Sequence, residues 1–493
     1  MKEIKTILSK SKVKSGFNCS KALYLKIFNP HIAFVPSQFD QRLLQHGKTV
    51  GEAARKLFPD GILVEELSRT EAIAKTKALL QKGTKILFEP AFEFENLLCR
   101  VDILKMTDDQ KWDLIEVKAT TYNKPEKHDV EDYILDISIQ TWILKNLGIP
   151  INKSYLMHLN SDHIHPDHGD LFKLEDFTDQ ISDSMSSIPE RLEQLLKSLK
   201  NTAPPEVPIS RKCDKPHECP FKGLCWEHVP EISIFNIPNS RKKWDLYENG
   251  YLDISSVDKD DFKAITQKRM IEVSQSGQRF VDATRIAGLL QKWEYPLAFL
   301  DFESIDSAIP KYNNTRPYQH IPFQFSCHIS NQKKLSHHEY LHDNSSDPRE
   351  KFISALLACI PKQGTIVVYF KTYEATRLKE LARDFPQHAA ALLQIENRLE
   401  DLLEVVKETV YDINFKGSFS IKSVAPALLG QEASYENLDI QDGTEAMVAF
   451  ERLTDEKTAQ EDKLSLKQQM LEYCCQDTLL MVKLYEWLRN QCS

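Results

Sequence analysis

The chain has 493 residues, too many for one hydrophobic core, so two domains and a connector are the starting expectation. Hydrophobic residues at 41% and charged residues at 27% exclude a disordered or fibrous protein, and no run approaches the roughly 18 apolar residues of a membrane helix. The start, MKEIKTILSKSK, lacks the apolar stretch of a secretion signal, which predicts a cytoplasmic protein, and a net charge of -9 excludes a nonspecific basic coat for nucleic acid.

In chain order, Lys2, Lys5, Lys10, Lys12, Lys14, Lys21 and Lys26 face only Glu3 in the opening segment. They form either a surface that tracks phosphates or a solvated helix face. Cys19 stands alone in SGFNCSKALYLK, and His46 follows in QHGKTVGEAA. Three strand-like segments come next: ILFEPAF with Glu89, LLCRVDIL with Asp102, and WDLIEVKA with Glu116 and Lys118. An amphipathic helix near Val130 to Leu147 then carries Gln140. Side chains at i and i+2 share a strand face, so Glu116 and Lys118 project together while Ile115, Val117 and Ala119 face the core. With Asp102 on the neighbouring segment, two carboxylates and an ammonium can converge. Hard oxygen donors of this kind suit Mg2+ or Mn2+, which polarise a phosphate and supply a hydroxide nucleophile, with the lysine orienting the attacking water.

His46, Glu89, Asp102, Glu116-Val-Lys118 and Gln140 match, in order, the motifs of RecB-like PD-(D/E)XK nucleases, which this part of the chain resembles. The resemblance implies a restriction-endonuclease-like α/β fold. It also implies metal-binding and hydrolytic roles for His46, Asp102, Glu116 and Lys118, and accessory ones for Glu89 and Gln140. Position 144 departs from the pattern, with Leu where such families often carry Tyr.

After the strand SYLMHL, the histidines His163, His165 and His168 read as a polar turn. The Ser-x-x-Glu start of SIPERLEQLLKSLK predicts a helix over 187–200, ended by NTAPPEVP, so the first domain closes near residue 229. Cys213, Cys219 and Cys225 follow as C-x5-C-x5-C, beside a second basic patch of Arg211, Lys212, Lys215 and Lys222. Ten cysteines in a chain without a signal sequence point away from disulfides, and three clustered thiolates need a fourth ligand. Cys19 resembles the isolated N-terminal cysteine of the iron-sulfur RecB-like nucleases of the AddB and CRISPR-adaptation types. That resemblance implies a [4Fe-4S] cluster on Cys19, Cys213, Cys219 and Cys225, with structural Zn2+ as the alternative and free thiols as the third reading. Cys99, Cys327, Cys359, Cys474, Cys475 and Cys492 read as small apolar packing residues.

Residues 230–290 read as a helical connector, a hairpin broken at Gly250. From 291 a second α/β domain is predicted, with strands LAFLDFE and TIVVYF and a long terminal helix, LSLKQQMLEYCCQDTLLMVKLYEWL. On LAFLDFE, Phe299, Asp301 and Glu303 share one face and Ala298, Leu300 and Phe302 the other. Two adjacent acids repel unless cations lie between them, which points to a two-metal site, and Tyr473 and Asp477 share a helix face.

Asp301-x-Glu303, Tyr373-Glu374 and Tyr473-x3-Asp477 resemble, in order, the motifs of the DEDD exonucleases of the DnaQ-like, ribonuclease-H-like superfamily, with Tyr473 marking the DEDDy subclass. The resemblance implies that Asp301, Glu303, Glu374 and Asp477 hold two Mg2+ or Mn2+ ions and that Tyr473 orients the attacking water. Glu374 stands where Asp is usual and Phe370 near a position that often carries Asn, with Asp401 in NRLEDLLEVV as a substitute or support. That altered middle motif makes the second site the one more exposed to being idle. The two parts, 1–229 and 291–493, are similar to a bacterial family of fused RecB-type and DEDD nucleases. The implied function is metal-dependent hydrolysis of nucleic-acid phosphodiesters, DNA favoured and RNA possible, with no membrane partner. The alternatives are a nucleic-acid-binding scaffold with one idle site and an RNA-processing exonuclease.

Overall fold

The structure, a computed structural model, describes residues 7–66, 68–122, 127–166, 168–215 and 217–492, without the side chains of 127 and 128. Lys2 and Lys5 of the first basic patch lie outside the described residues. The chain divides into two compact units, Met1–His228 with Ser307–Tyr318, and Val229–Asp306 with Gln319–Ser493. Both are mixed α/β, and no helix among the described residues is long and apolar enough to cross a membrane.

The first unit is built on a six-stranded sheet whose spatial order follows the chain: β1 (Ile62–Leu63), β2 (Ile86–Phe88), β3 (Ile103–Met106), β4 (Trp112–Thr121), β5 (Ile151–Leu159) and β6 (Phe172–Asp176). Strands β2 to β4 are antiparallel neighbours, whereas β4 and β5 run parallel. A parallel pair needs a crossover. Of the unit's helices α1 (Lys10–Asn18), α2 (Gln38–Arg55), α3 (Lys127–Asn146) and α4 (Ile181–Ser198), α3 supplies it. Both faces of the sheet are covered: Leu104, Leu114 and Leu156 pack with Ile139 and Ile143 of α3, and Ile103, Ile115 and Met157 pack with Val50 and Ala54 of α2. Glu116 and Lys118 are therefore charges set into the face that α3 covers.

Helix α4 begins at Ile181 rather than at the predicted Ser187 and runs through Pro189. Ile181, Ile188, Leu192 and Leu195 recur on one buried face, and that packing outweighs the hydrogen bond proline forfeits. The segment Ser307–Tyr318 also belongs to this unit: Tyr318 donates to the Ala119 carbonyl at 2.6 Å, and His165 donates to the Thr315 carbonyl at 2.9 Å.

The second unit holds a five-stranded sheet of β7 (Leu297–Asp306), β8 (His320–Ser330), β9 (Leu335–Leu341), β10 (Ile366–Val368) and β11 (Leu399–Asp401), in the order β9-β8-β7-β10-β11. β10 and β11 run parallel to β7, and β8 and β9 form the antiparallel arm. Ala298, Leu300 and Phe302 face a core with Phe325, Phe352 and Leu378, the last from α5 (Lys371–Asp384). The opposite face carries Phe299, Asp301 and Glu303 beneath the terminal helix α6 (Gln460–Asn490), where the Phe299 and Tyr485 rings lie 5.7 Å apart.

Residues 230–290 belong to this second unit and are mostly tight turns around three short helices, Lys243–Glu248, Ile265–Ser276 and Ala283–Leu290, instead of a hairpin. Gly250, at φ +85°, ends the first of them. Phe280–Val281 pairs with Val410–Tyr411, and the Arg269 guanidinium donates to the carbonyls of Lys407 and Glu408, so a strand pair and a side chain sew the segment to the unit. A periodicity of apolar residues does not distinguish such a strap from a free connector.

Candidate active sites

In the first unit, Glu116 projects from β4 and is 2% exposed. It accepts from Lys10 at 3.0 and 3.1 Å, from Lys118 at 2.8 Å and from Gln140 at 2.6 Å. Asp136, absent from the sequence-based set, is the second buried acid here. It accepts from Lys118 at 2.6 Å and Lys14 at 3.0 Å and pairs with Lys10 at 3.1 Å. Asp136 stands four residues before Gln140 on α3, so one helix face presents both, a spacing visible in the sequence. Burial and Asp136 push the Glu116 carboxyl up, but Lys10 and Lys118 outweigh them and leave it below its ordinary value. Asp136 is opposed by burial too, yet its lysines hold it well below the carboxylate range.

Asp102 sits differently. It accepts from the Val117 amide at 2.6 Å, but burial and the Glu116 charge push its carboxyl up to about 8. With Glu89, whose carboxyl burial also raises, it lines a cavity of about 300 Å³ walled by Gly47, Gly51 and Arg55 of α2. Glycine at those helix positions keeps the wall low. Glu89 and Asp102 offer hard oxygens to a divalent cation there, while Glu116 is held by ammonium groups. His46 lies buried on α2 with its ring 5.9 Å from that of Tyr318. Lys10 and Lys14 of the predicted basic patch are thus part of this charge network, and Lys222 of the second patch pairs with Asp214 and Glu218 at 2.7 and 2.9 Å.

Cys19 lies at the junction of α1 and the helix Ser20–Phe28, and Cys213, Cys219 and Cys225 lie on the short turns 211–225. All four are free thiols and mutual neighbours: burial raises the Cys219 thiol, and Cys19, Cys213 and Cys225 raise it further. Among the described residues, no three of these sulfurs close to within 4.8 Å of one another. Of the remaining cysteines, Cys99, Cys327 and Cys474 are buried, whereas Cys492 is exposed, contrary to its reading as a packing residue. His163, with Nδ1 2.7 Å from the Gly169 carbonyl, stays in the expected turn.

The second unit gathers acids with far less compensation. Asp301, Glu303 and Asp477 bring carboxylate oxygens to within 4.8 Å of one another. A β-bulge after Glu303 shifts the register of β7 against β8 at this point, and the pairing resumes from Ser304 to Asp306. Glu374, in the first turn of α5, is 1% exposed, and its Oε2 has no hydrogen-bond partner among the described residues. Burial raises Asp301, Glu303 and Glu374 well above the carboxylate range, with Asp477 adding to the first, and Asp301 to the other two. Asp477 reaches about 6 by burial, against hydrogen bonds from Tyr435 and Tyr473 and the charge of Lys422. Lys422, 3.3 Å from the Tyr473 hydroxyl, is the cation that moderates this group.

Asp401 is not among the converging acids. Its carboxylate accepts from the amides of Phe370 at 3.1 Å, Lys371 at 2.9 Å and Leu403 at 3.0 Å, capping the helix it precedes and fixing the start of α5. Phe370 itself is a non-glycine residue at φ 81°, half exposed, on the rim of a cavity of about 610 Å³ that also takes in Asp301, Glu303, Lys422, Tyr473 and Asp477. Sequence reasoning missed Tyr435, whose hydroxyl donates to Asp477 from a segment with no motif, and also Lys422.

Residues 298–420 match a family model described as a domain of unknown function (DUF2779), a span that includes Asp301, Glu303, Glu374 and Asp401. The chain is 24% identical over 298 residues to the uncharacterized protein MG366 homolog of Mycoplasma pneumoniae, covering 52% of this chain and 44% of that one. It is 29% identical over 160 residues to the uncharacterized protein UU173 of Ureaplasma parvum, covering 28% of this chain and 22% of the relative. The chain thus spans less than half the length of these curated relatives.

Proposed function

We propose that the chain is a divalent-metal-dependent nuclease that hydrolyses nucleic-acid phosphodiester bonds, DNA in preference to RNA, with its working centre at Asp301, Glu303, Glu374 and Asp477. The observation that carries this reading is the charge imbalance there: the oxygens of Asp301, Glu303 and Asp477 lie within 4.8 Å of one another, with buried Glu374 as a further acid that they repel, and Lys422 is the cation that opposes them. Two carboxylates about 5 Å apart repel by about 3 kcal/mol even at an effective dielectric near 20. The metal-free site therefore keeps protons, and a pair of Mg2+ or Mn2+ ions is the ligand that lets all four acids ionise. The orphan Glu374 Oε2 and the hard-oxygen donor set fit those ions. Bound there, such ions supply phosphate polarisation and a lowered pKa for water. The chain's own groups do the rest: Tyr473, between Lys422 and Asp477, orients the attacking water, and Phe370 offers a face on which a base stacks. This reading assigns the second unit a ribonuclease-H-like DEDD fold and the first a restriction-endonuclease-like PD-(D/E)XK fold.

The first unit is the less ready of the two, because Lys10, Lys14 and Lys118 already neutralise Glu116 and Asp136. That favours the scaffold alternative for the first unit, not for the second, where the altered middle motif had pointed. For the four cysteines, a [4Fe-4S] cluster is the better occupant. One zinc held at about 2.3 Å from each sulfur needs all of them about 3.8 Å apart, whereas no three of these sulfurs lie within 4.8 Å of one another. The test is incubation of purified protein with 5'-labelled single- and double-stranded DNA and RNA, with Mg2+ or Mn2+, in a Lys118→Ala background. Stepwise shortening that Asp301→Ala stops is expected. No shortening with either metal, while Mn2+ still binds, makes the unit a binding module.

A further inference from the structure

Apart from the acidic cavity, a different donor set lies on the β8, β9 and α6 surfaces of the second unit. His328, His337 and Cys475 each bring a donor atom to within 4.8 Å of the other two. The two histidines stand directly opposite each other across the β8/β9 pair, with rings stacked at 4.4 Å, and Cys475 Sγ approaches His337 Nδ1 at 3.9 Å. His328 is buried, Cys475 half-buried and His337 exposed, so the set opens to solvent on one side.

The surrounding hydroxyls decide which ring nitrogens are available. His337 Nε2 lies 2.9 Å from Ser326 Oγ, which lies 2.7 Å from Thr478 Oγ1. His328 Nδ1 lies 2.8 Å from the same Thr478 Oγ1, which donates to the Cys475 carbonyl at 3.2 Å. One proton arrangement satisfies every contact. His337 Nε2–H donates to Ser326, Ser326 donates to Thr478, His328 Nδ1–H donates to Thr478, and Thr478 donates to the carbonyl. Both imidazoles are then neutral, with lone pairs on His337 Nδ1 and His328 Nε2. A second ring N–H held by a fixed acceptor is the arrangement that orients histidine for ligation.

We propose that His328 Nε2, His337 Nδ1 and the Cys475 thiolate form a site for a borderline divalent cation of the zinc class. Water completes four-coordination, since the Glu339 carboxylate lies 3.9 Å from His337 Nε2, the ring nitrogen that does not ligate. Binding forms three protein–metal bonds and releases the thiol proton of Cys475 to solvent. Two nitrogens and a sulfur disfavour Mg2+ and Mn2+, which separates this site from the acidic cavity. Its position assigns it a clamping role, tying α6 to β8 and β9 two residues from Asp477. The site does not depend on the nuclease reading.

Because Cys19, Cys213, Cys219 and Cys225 offer four further thiols to added zinc, total metal content cannot decide the matter. The test is residue-resolved: full-length, chelator-treated protein is alkylated with iodoacetamide with and without Zn2+, and labelling of Cys475 is followed by mass spectrometry. Zn2+ is expected to slow Cys475 alkylation by roughly tenfold or more, because a ligated thiolate is no longer a free nucleophile. His337→Ala, a change at an exposed strand position, is expected to abolish the protection. Equal Cys475 alkylation with and without Zn2+ in the wild-type chain overturns the proposal, as does protection that persists in His337→Ala. Neither readout involves cleavage, so failure here and failure of the nuclease reading are separate results.

Discussion

The Lys10 ammonium lies 3.0 and 3.1 Å from the two carboxylate oxygens of Glu116, joining residues 106 positions apart in the chain. Lys10 is 20% exposed and Glu116 2%, so the contact is largely withdrawn from water. It occupies the carboxylate that the sequence motifs assign, with Asp102, to a divalent cation.

Lys10→Ala is therefore expected to have two effects of opposite sign. Glu116 keeps Lys118 and Gln140, so the loss of stability falls below the 3–5 kcal/mol typical of a fully broken buried pair, at about 1–3 kcal/mol. Divalent affinity rises, because the competing ammonium is gone. Urea unfolding with and without Mn2+ checks both: the ion should recover more stability in Lys10→Ala than in wild type, and equal recovery counts against competition.

On the proposed reading, metal binding by the second unit's acids is a proton-release reaction. The Asp477 carboxyl sits at about 6 against an ordinary 3.8, raised by burial. A raised carboxyl stabilises the fold fully below its unfolded pKa, and that contribution is lost as pH rises through the folded value. In metal-free protein, the Tm of wild type relative to Asp477→Asn should fall from about pH 4 to about pH 6 and beyond, by on the order of 2–3 kcal/mol in stability. Saturating Mn2+ should remove that decline, and Mn2+ affinity should climb over the same range. A pH-independent Mn2+ affinity, measured calorimetrically in buffers of different ionisation enthalpy, contradicts this.

Much of the second site was legible because its geometry is local. Period-2 alternation put Asp301 and Glu303 on one face of β7, and a four-residue spacing put Tyr473 and Asp477 on one face of α6. Roles set by tertiary convergence were not legible. Lys10 reads as one lysine in a patch until α1 is placed against Glu116, and Tyr435 carries no motif at all. Asp401 was readable as a helix cap, being an Asp directly before the apolar run Leu402–Val406, but a competing match to a catalytic position obscured it. Ser307–Tyr318 went to the wrong unit because it is contiguous with β7 and β8, and contiguity says nothing about where a loop packs.

The four clustered thiols predict colour. Anaerobically purified protein should be brown and contain iron, and Cys19→Ser should bleach it, since Cys19 alone comes from outside the turns 211–225. Stoichiometric zinc without iron in anaerobic protein would overturn the cluster.

Phe370 joins an unfavourable backbone to an exposed ring. At φ 81° it costs on the order of 1 kcal/mol that glycine does not, and its half-exposed side chain returns little by packing. Phe370→Gly should therefore leave stability unchanged or raise it by up to about 1 kcal/mol. It should weaken single-stranded DNA binding by about 1–3 kcal/mol, the scale of one stacked base. Weaker folding with unchanged DNA affinity would show that the strain serves packing instead.

Tyr435 and Tyr473 both face Asp477, and their expected effects differ in kind. The Tyr435 hydroxyl donates to Asp477 Oδ1, and of the interactions that lower the Asp477 pKa this one is the largest, ahead of Lys422 and Tyr473. A hydrogen bond to a charged group is worth about 1.5–3 kcal/mol, so Tyr435→Phe should move the onset of Mn2+ binding up by about 1 to 2 pH units. Cleavage should fall near neutral pH and recover at higher pH, because Asp477 still ionises once protons are scarce. Tyr473 stands nearest the cavity, with Lys422 3.3 Å from its hydroxyl, where a water-orienting group belongs. Tyr473→Phe should leave Mn2+ affinity close to wild type and lower kcat by on the order of 100-fold at every pH. Measuring kcat and Mn2+ affinity together from pH 6 to 9 separates the two, and a Tyr473→Phe defect that high pH repairs would reduce Tyr473 to a second positioning group for Asp477.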